Sequence, residues 1–293
     1  MTYCDLHMHS TASDGTDAPR HLARLASDAG LAGFALTDHD TTAGLPAAAA
    51  AAHQLRLAFV PGIELSADPD VRRTGASHGT LHILGYYIRH DDPTLQRIQR
   101  QLHDARAQRN PQMIDRLNEL GVNIRYDEVL AEAGANQDDA AVVGRPHIAQ
   151  VMVNKGYVKT IHEAFNQYIG MRGAAYIRKD RLKAAEAIDA IHAAGGVACF
   201  AHPVQLGLPD DDQLEQVVRQ LKDAGLDGIE THHPDHRPAD VARFQALARR
   251  YRLVTVGGSD YHGSRKTNAL GSPRVPIDTL EQLHAARPAE AEP

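Results

Sequence analysis

Several residue types are scarce in this chain of 293 residues. It has no tryptophan and five phenylalanines, and its two cysteines, Cys4 and Cys199, each lie in an apolar strand-like run. Two such thiols do not form a disulfide framework, and they suit a reducing compartment. No apolar run approaches the roughly 18 residues that a membrane span requires. We therefore expect a soluble, cytoplasmic protein that does not bind membranes.

Histidine, by contrast, is abundant. The chain contains 18 histidines and has a formal net charge of −6 at neutral pH. This negative balance argues against a broad basic surface that would coat a nucleic acid, but it leaves room for a local basic pocket. A histidine excess points to a function only if the imidazoles gather in one place. Their positions along the chain therefore decide how they are interpreted.

Short apolar runs alternate with helical patterns over most of the chain, which predicts an α/β fold with mainly parallel strands. The predicted strands are Tyr3–Met8, Gly33–Thr37, Ala58–Leu65, Leu81–Ile88, Val197–Ala201, Gly228–Thr231 and Leu253–Gly257. The predicted helices between them are Pro19–Ala29, Ala43–Leu55, Ala184–Ala194, Asp212–Ala224 and Ala239–Tyr251.

The stretch from about 92 to 181 breaks this alternation. It reads as consecutive helices at Pro93–Arg109, Pro111–Leu120, Tyr126–Ala133, Arg145–Lys155 and Ile161–Ile169. Proline fits the first turn of a helix, so helix starts are expected at Asn110-Pro111 and Arg145-Pro146. We predict a barrel domain formed by residues 1–91 and 182–293 and a helical insertion at 92–181.

Polar side chains follow most of the predicted strands. The strand ends read DLHMHS at 5–10, TDHD at 37–40, GIE at 62–64, AHP at 201–203, ETHH at 230–233 and SDYH at 259–262. In an α/β barrel these ends open on one face, where catalytic groups gather. His7 and His9 are two residues apart, so on a strand they point to the same side, as two ligands of one ion must. A lone histidine is more often structural, but imidazoles or carboxylates at this many strand ends indicate a metal site.

This motif order resembles that of the polymerase and histidinol phosphatase (PHP) family, and the resemblance covers nearly the whole chain. It includes GRPH at 144–147, which resembles the branch of nucleoside 3′,5′-bisphosphate phosphatases and 5′→3′ oligoribonucleases. The resemblance implies a distorted (β/α)7 barrel with three divalent metal ions. Mn²⁺ is the expected metal, with Zn²⁺, Fe²⁺ and Mg²⁺ as alternatives.

The resemblance also implies the ligands of each ion. The first ion would take His7, His9, Glu64 and Asp260, the second would share Glu64 and add His82 and His202, and the third would take Asp14, His39 and His262. His78 lies four residues before His82 and is an alternative ligand of the second ion. Some family members have histidine where this chain has Asp14, and an aspartate favours harder metals such as Mn²⁺.

The insertion and the sixth predicted strand supply the expected substrate contacts. Arg109, Arg145, His147 and Lys179 are the predicted substrate-binding residues, because a basic pocket in the insertion would grip a second anionic group. The other arginines of the first insertion helix, including Arg106, are read as a solvated face. His233 and His236 are the alternatives for the general acid that protonates the leaving oxygen.

The resulting hypothesis is a phosphohydrolase that removes the 3′-phosphate of nucleoside 3′,5′-bisphosphates, such as adenosine 3′,5′-bisphosphate, by attack of a metal hydroxide. Trimming of short 5′-phosphorylated RNA is a related activity. The expected partner is a small nucleotide or short RNA rather than a stable nucleic-acid complex. The alternatives are a phosphatase of another small phosphomonoester resembling histidinol phosphate, a metal-dependent amidohydrolase and a non-catalytic metal-binding module.

Overall fold

The computed structural model describes residues 2–68, 80–134, 142–179 and 182–289. Its strands are β1 Tyr3–Asp5, β2 Gly33–Leu36, β3 Ala58–Asp68, β4 Leu81–Tyr86, β5 Leu182–Lys183, β6 Val197–Phe200, β7 Gly228–His232, β8 Val254–Gly257 and β9 Val275–Pro276. Its α-helices are α1 Pro19–Asp28, α2 Leu45–Leu55, α3 Pro93–Glu119, α4 Tyr126–Glu132, α5 Arg145–Asn154, α6 Ile161–Ala164, α7 Ala184–Ala193, α8 Asp211–Asp223, α9 Pro238–Tyr251 and α10 Thr279–Ala285. None of these helices combines the length and apolar character needed to cross a membrane.

The strands form one mixed sheet that nearly closes into a barrel. Their order is β8-β7-β6-β4-β3-β2-β1-β9, with β5 beside β3. The segment after β1 contacts the segment after β8, where His9 N–H donates to the carbonyl of Tyr261 at 2.9 Å. The predicted distorted (β/α)7 barrel is therefore confirmed. Most described pairings are parallel, but β4 runs antiparallel to β3 and β6. Strand β4 therefore begins at the rim, where β3 and β6 end.

Alternation along the strands separates the barrel interior from its outer layer. An inner cluster contains Val60 of β3, Leu84 and Tyr86 of β4 and Cys199 of β6, whereas their sequence neighbours pack outward against the helices. Side chains two residues apart lie on the same face of a strand. The inward face of β3 therefore continues from Val60 to Glu64 at the rim, and the inward face of β4 continues back from Leu84 to His82.

The insertion is helical, as expected, but its first two predicted helices are one. Helix α3 runs through Pro111 without a break, so the predicted helix start at Asn110-Pro111 is wrong. Proline removes one helical hydrogen bond. Tertiary contacts hold the chain in place here, because Arg109 and Asn110 are buried and the Asn110 amide donates to the carbonyl of Val143 at 2.9 Å.

The insertion also has a hydrophobic cluster of its own. This cluster is distinct from those of the barrel and includes Met113, Ile124, Val129, Ile148 and Met152. Helix α6 continues into a π-helical turn over Phe165–Ile169, which ends the helical region before the chain returns to the barrel. The insertion is thus a small helical subdomain beside the barrel rim.

Candidate metal centre and substrate cavity

Four ligand atoms meet at the centre of the rim. His7 Nε2 lies 3.3 Å from Glu64 Oε2 and 3.6 Å from Asp260 Oδ1. His9 Nε2 lies 3.2 Å and 3.4 Å from the same two oxygens. Bonds of about 2.1 Å to a tetrahedral ion would separate its ligand atoms by about 3.4 Å. The two imidazole nitrogens therefore each lie within 3.6 Å of a Glu64 oxygen and of an Asp260 oxygen, close to the spacing of ligands around one ion.

A second group shares Glu64. Its other carboxylate oxygen, Oε1, lies 2.8 Å from His82 Nδ1 and 2.8 Å from His202 Nε2. His82 lies at the start of the antiparallel strand β4, whereas His202 follows β6. The alternative ligand His78 lies outside the described residues.

The third group surrounds Asp14 in the loop after β1. Asp14 Oδ1 lies 3.3 Å from His262 Nε2, and Asp14 Oδ2 lies 3.8 Å from His39 Nε2. His39 also reaches the first group, because its Nδ1 is 3.0 Å from Glu64 Oε2. His9 Nδ1 in turn approaches Asp14 Oδ1 at 3.8 Å. All nine predicted ligands thus lie in one connected cluster.

Several polar atoms of this cluster are better placed to bind a metal than to form hydrogen bonds with one another. Among the described residues, His7 Nε2, both ring nitrogens of His9 and Glu64 Oε2 are buried without a hydrogen-bond partner. Orphaned polar atoms of this kind are costly in a protein interior. Imidazole nitrogens and carboxylate oxygens are ordinary ligands of divalent ions. The donor set therefore fits divalent ions at this rim.

The carboxylates of the cluster remain ionised although they are buried. Burial alone would raise the pKa of Glu64, but His39, His82 and His7 hold it well below its ordinary value. Burial opposes ionisation of Asp260 as well, and Lys266 and neighbouring histidines lower the pKa of that carboxyl. Buried ionised carboxylates need a compensating positive charge. A bound cation would supply it.

Glu230 in the middle of β7 positions two of the predicted ligands, and it was not among the residues singled out from the sequence. Its Oε1 accepts a hydrogen bond from His7 Nδ1 at 2.9 Å, and its Oε2 accepts the backbone N–H of His202 at 2.7 Å. The first bond leaves Nε2 of His7 available to bind a metal. A buried glutamate within a short apolar strand is the sequence signal that could have found it.

Backbone strain also concentrates at the rim. His202 and Asp260 have positive φ angles of 27° and 48°, a region that side chains rarely adopt. Gly258, two residues before Asp260, passes so close to His7 that a Cβ at this position would lie 2.3 Å from the backbone nitrogen of His7. Such strain persists only where surrounding contacts enforce it, and here it places the two ligands.

Asp38 holds the loop that carries Asp14. Its carboxylate accepts the N–H and hydroxyl of Ser10 at 2.7 and 2.6 Å and the hydroxyl of Ser13 at 2.6 Å. A second anchor comes from Arg265, whose Nη1 donates to the carbonyl of Asp14 at 2.9 Å. The loop is therefore tied both to β2 and to the segment that follows β8.

A cavity of about 260 Å³ opens between this cluster and the insertion. Asp14, His39, His82 and His262 line one side of it. The cations on its wall are Arg106, Arg109, Arg145, Lys179, Arg265 and Lys266. Phe165 and Tyr176 add aromatic faces, and the guanidinium of Arg145 lies 5.3 Å and 5.9 Å from their ring centres. The cavity therefore joins a metal-binding side to a basic and aromatic side.

The predicted substrate residues fall into two sets. Arg109, Arg145 and Lys179 lie on the cavity wall. His147 is almost fully buried at the start of α5, where its Nδ1 accepts the N–H of Gly144 at 3.0 Å, and burial lowers its pKa to about 4. Arg106 was read as solvated but is also on this wall, with 13% of its side chain exposed.

Neither histidine considered as the general acid is among the residues that line the described cavity. His233 Nδ1 accepts the N–H of Asp235 at 3.0 Å, so its Nε2–H donates to Asp260 Oδ2 at 3.2 Å. His236 donates from Nδ1 to the carbonyl of Thr231 at 3.0 Å, and burial lowers its pKa to about 4. The general acid role of either residue stays a prediction.

Comparison with known proteins agrees with this geometry. A PHP domain family profile matches residues 5–223. The chain is 34% identical to a phosphoribosyl 1,2-cyclic phosphate 1,2-diphosphodiesterase of Eggerthella lenta, over 88% of this chain and 94% of the relative. It is 31% identical to a 3′,5′-nucleoside bisphosphate phosphatase of Chromobacterium violaceum, over 89% and 88%, and 30% identical to a 5′-3′ exoribonuclease of Haemophilus influenzae, over 88% and 89%.

Solved structures show the same likeness. A metal-dependent phosphoesterase from Bifidobacterium adolescentis superposes with a TM-score of 0.86 at 32% identity, covering 97% of this chain and 96% of its own. An amidohydrolase from Chromobacterium violaceum, solved with bound sulfate and no metal, gives 0.85 at 30% identity and covers 100% of both chains. The chain belongs to the PHP domain family and is a metal-dependent phosphoesterase.

Proposed function

We propose that the protein removes the 3′-phosphate of nucleoside 3′,5′-bisphosphates, such as adenosine 3′,5′-bisphosphate. The observation that carries this proposal is that one cavity has predicted metal ligands on one side and the insertion's cations on the other. A substrate with two phosphates fits both sides at once, with the reacting phosphate at the ligands. The second phosphate would then bind Arg109, Arg145 and Lys179, since guanidinium groups bind phosphate oxygens well.

We further propose that the rim holds three divalent ions, with Mn²⁺ as the expected metal. The first would be bound by His7, His9, Glu64 and Asp260, the second by Glu64, His82 and His202, and the third by Asp14, His39 and His262, all of which lie in the connected cluster described above. Such ions lower the pKa of bound water and stabilise charge on the phosphoryl oxygens.

The protein's own side chains orient the reaction. Glu230 and Asp38 fix the ligands, so that the cluster keeps its shape before substrate arrives. The basic wall holds the far end of the substrate and so fixes the distance of the reacting phosphate from the ligands. Phe165 and Tyr176 offer apolar faces for the nucleoside base.

A second candidate is suggested by the relative from Eggerthella lenta, whose name denotes cleavage of a cyclic phosphate on phosphoribose. That substrate also carries two phosphate groups on a ribose, but it has no base. The aromatic pair in the cavity favours the nucleotide. Short 5′-phosphorylated RNA, suggested by the relative from Haemophilus influenzae, presents the same base and phosphate groups at its end.

The test is turnover of a substrate panel by the Mn²⁺-loaded protein, measured as release of phosphate or, for the RNA, as release of mononucleotides. The panel contains adenosine 3′,5′-bisphosphate, adenosine 3′-monophosphate, phosphoribosyl 1,2-cyclic phosphate, histidinol phosphate and a short 5′-phosphorylated RNA. We expect the highest kcat/KM for the bisphosphate. Equal or better turnover of a substrate without a second phosphate would contradict the proposal, and better turnover of the cyclic phosphate would favour the second candidate.

A further inference from the structure

Asp40 directly follows the predicted ligand His39, but its side chain makes a separate set of contacts. The residue is buried and has a positive φ of 57°. Its Oδ1 accepts the N–H of Ser66 at 2.7 Å, and its Oδ2 accepts the hydroxyl of Ser66 at 3.0 Å. These bonds fix the carboxylate against β3, at the edge of the cavity that Ser66 lines.

Two cations from separate parts of the insertion converge on this carboxylate. Arg106 of α3 donates to Asp40 Oδ2 from Nε at 3.0 Å and from Nη2 at 2.5 Å. Lys179, in the segment that returns to the barrel, places its Nζ 3.5 Å from the same oxygen. Both cations line the cavity, with 13% and 10% of their side chains exposed. Asp40 is therefore a joint between the barrel and the basic wall.

The charge balance at this joint favours an anionic ligand. The Asp40 carboxylate accepts hydrogen bonds from two nitrogens of Arg106 and lies 3.5 Å from Lys179 Nζ, so it is paired with both cations. Among the described residues at this joint, two cations face one carboxylate beside the cavity. Nε and Nη2 of Arg106 are held by Asp40, so Nη1 is the nitrogen of this guanidinium that can donate to a ligand.

The carboxylate of Asp40 does not act on the metal ligands through any described hydrogen bond. Only its backbone touches the metal site, where its N–H donates to the carbonyl of Glu64 at 2.9 Å. Its carbonyl accepts His103 Nε2 at 3.0 Å on the insertion side. The described side-chain bonds of Asp40 go to Ser66, Arg106 and Lys179.

We propose that Asp40 is a positioning residue that holds Arg106 and Lys179 at the cavity to bind the second, non-reacting phosphate of the substrate. This inference rests on the proposed function, because it requires a substrate with two phosphates. It extends that function by tying recognition of the distal phosphate to a carboxylate that touches neither phosphate.

The test compares wild type with Asp40→Asn on adenosine 3′,5′-bisphosphate and adenosine 3′-monophosphate, both with Mn²⁺. Asparagine keeps the shape but loses the charge that orients the two cations. We expect KM for the bisphosphate to rise about tenfold or more, with a clearly smaller change for the monophosphate. Bound manganese, measured by atomic spectroscopy, should stay at the wild-type level.

A double-mutant cycle separates this role from a merely structural one. Because Asp40 acts through the cations, Asp40→Asn should add little to the loss of selectivity already caused by Arg106→Gln. Arg178→Gln is the matched control, since Arg178 adjoins Lys179 but pairs with Asp68 and has 63% of its side chain exposed. If Asp40→Asn fails to fold, Ser66→Ala removes one bond to the carboxylate and should shift selectivity in the same direction by less.

The outcomes distinguish this inference from the proposed function. Equal losses of kcat on both substrates together with loss of manganese would overturn the inference, since Asp40 would then act through His39. A bisphosphate preference that Asp40→Asn and Ser66→Ala both keep would also overturn it while leaving the proposed function intact. A wild type with no preference for a second phosphate would overturn both.

Discussion

The barrel rim and the helical insertion border the same cavity but are built in different ways. The rim places carboxylates and imidazoles at strand ends, where neighbouring buried groups such as Glu230 and Asp38 hold them. The insertion places cations on helices and on the segment that returns to the barrel, and it has its own hydrophobic cluster. We propose a division of labour from this difference, in which the rim performs the chemistry and the insertion selects the substrate.

Loss of a rim ligand should break this division most severely. Asp260→Ala removes an oxygen that lies within 3.6 Å of both His7 Nε2 and His9 Nε2. We expect kcat on the preferred phosphate ester to fall about a thousandfold or more, because metal-dependent stabilisation of the transition state is lost. Phosphate release and bound manganese measure the effect. The control is Asp223→Ala, at an exposed position. A near-normal kcat in Asp260→Ala would contradict the assignment of Asp260 as a metal ligand.

The separate core of the insertion permits a test on stability alone. Met152 is fully buried in that cluster, so Met152→Ala should lower the free energy of unfolding by about 2–5 kcal/mol. Manganese binding at the rim should change little, because no rim ligand packs in this cluster. Denaturant unfolding followed with metal titration measures both quantities, with the exposed Gln112→Ala as control. Loss of manganese binding in folded Met152→Ala would show that the two regions are not independent.

Glu230 tests whether the rim depends on its outer partners. Glu230→Gln weakens the acceptor for His7 Nδ1 and for the backbone N–H of His202. We expect manganese affinity to fall about 10- to 100-fold, the usual effect of removing such a partner. Calorimetric titration measures it against the exposed Glu281→Gln. A wild-type manganese affinity in Glu230→Gln would show that Glu230 does not support the metal ligands.

The smallest expected effect belongs to the insertion. Arg145→Gln removes a cavity-lining cation that stacks near Phe165 and Tyr176. KM for the bisphosphate should rise about tenfold while kcat and manganese content change little, since the residue serves binding rather than chemistry. Steady-state kinetics decides it, with Arg178→Gln as control. An unchanged KM would place Arg145 outside the binding wall.

The sequence predicted the rim better than the insertion for a physical reason. Ligands such as His7, His39 and His202 follow apolar runs, so the barrel geometry alone brings them together. The role of Glu230 was not predicted, because it depends on which buried groups the residue contacts and not on its position along a strand. Helix α3 continues through Pro111 because Asn110 is held by a contact 33 residues away, which no local pattern contains. The antiparallel direction of β4 likewise depends on long-range pairing.

Diffraction at the manganese absorption edge from crystals grown with Mn²⁺ tests the central claim most directly. We expect anomalous peaks at the rim, one between His7, His9, Glu64 and Asp260, one beside His82 and His202 and one beside Asp14 and His262. Fewer than three peaks would correct the number of ions. The absence of any manganese peak among these side chains, in a protein that still released phosphate, would contradict the account.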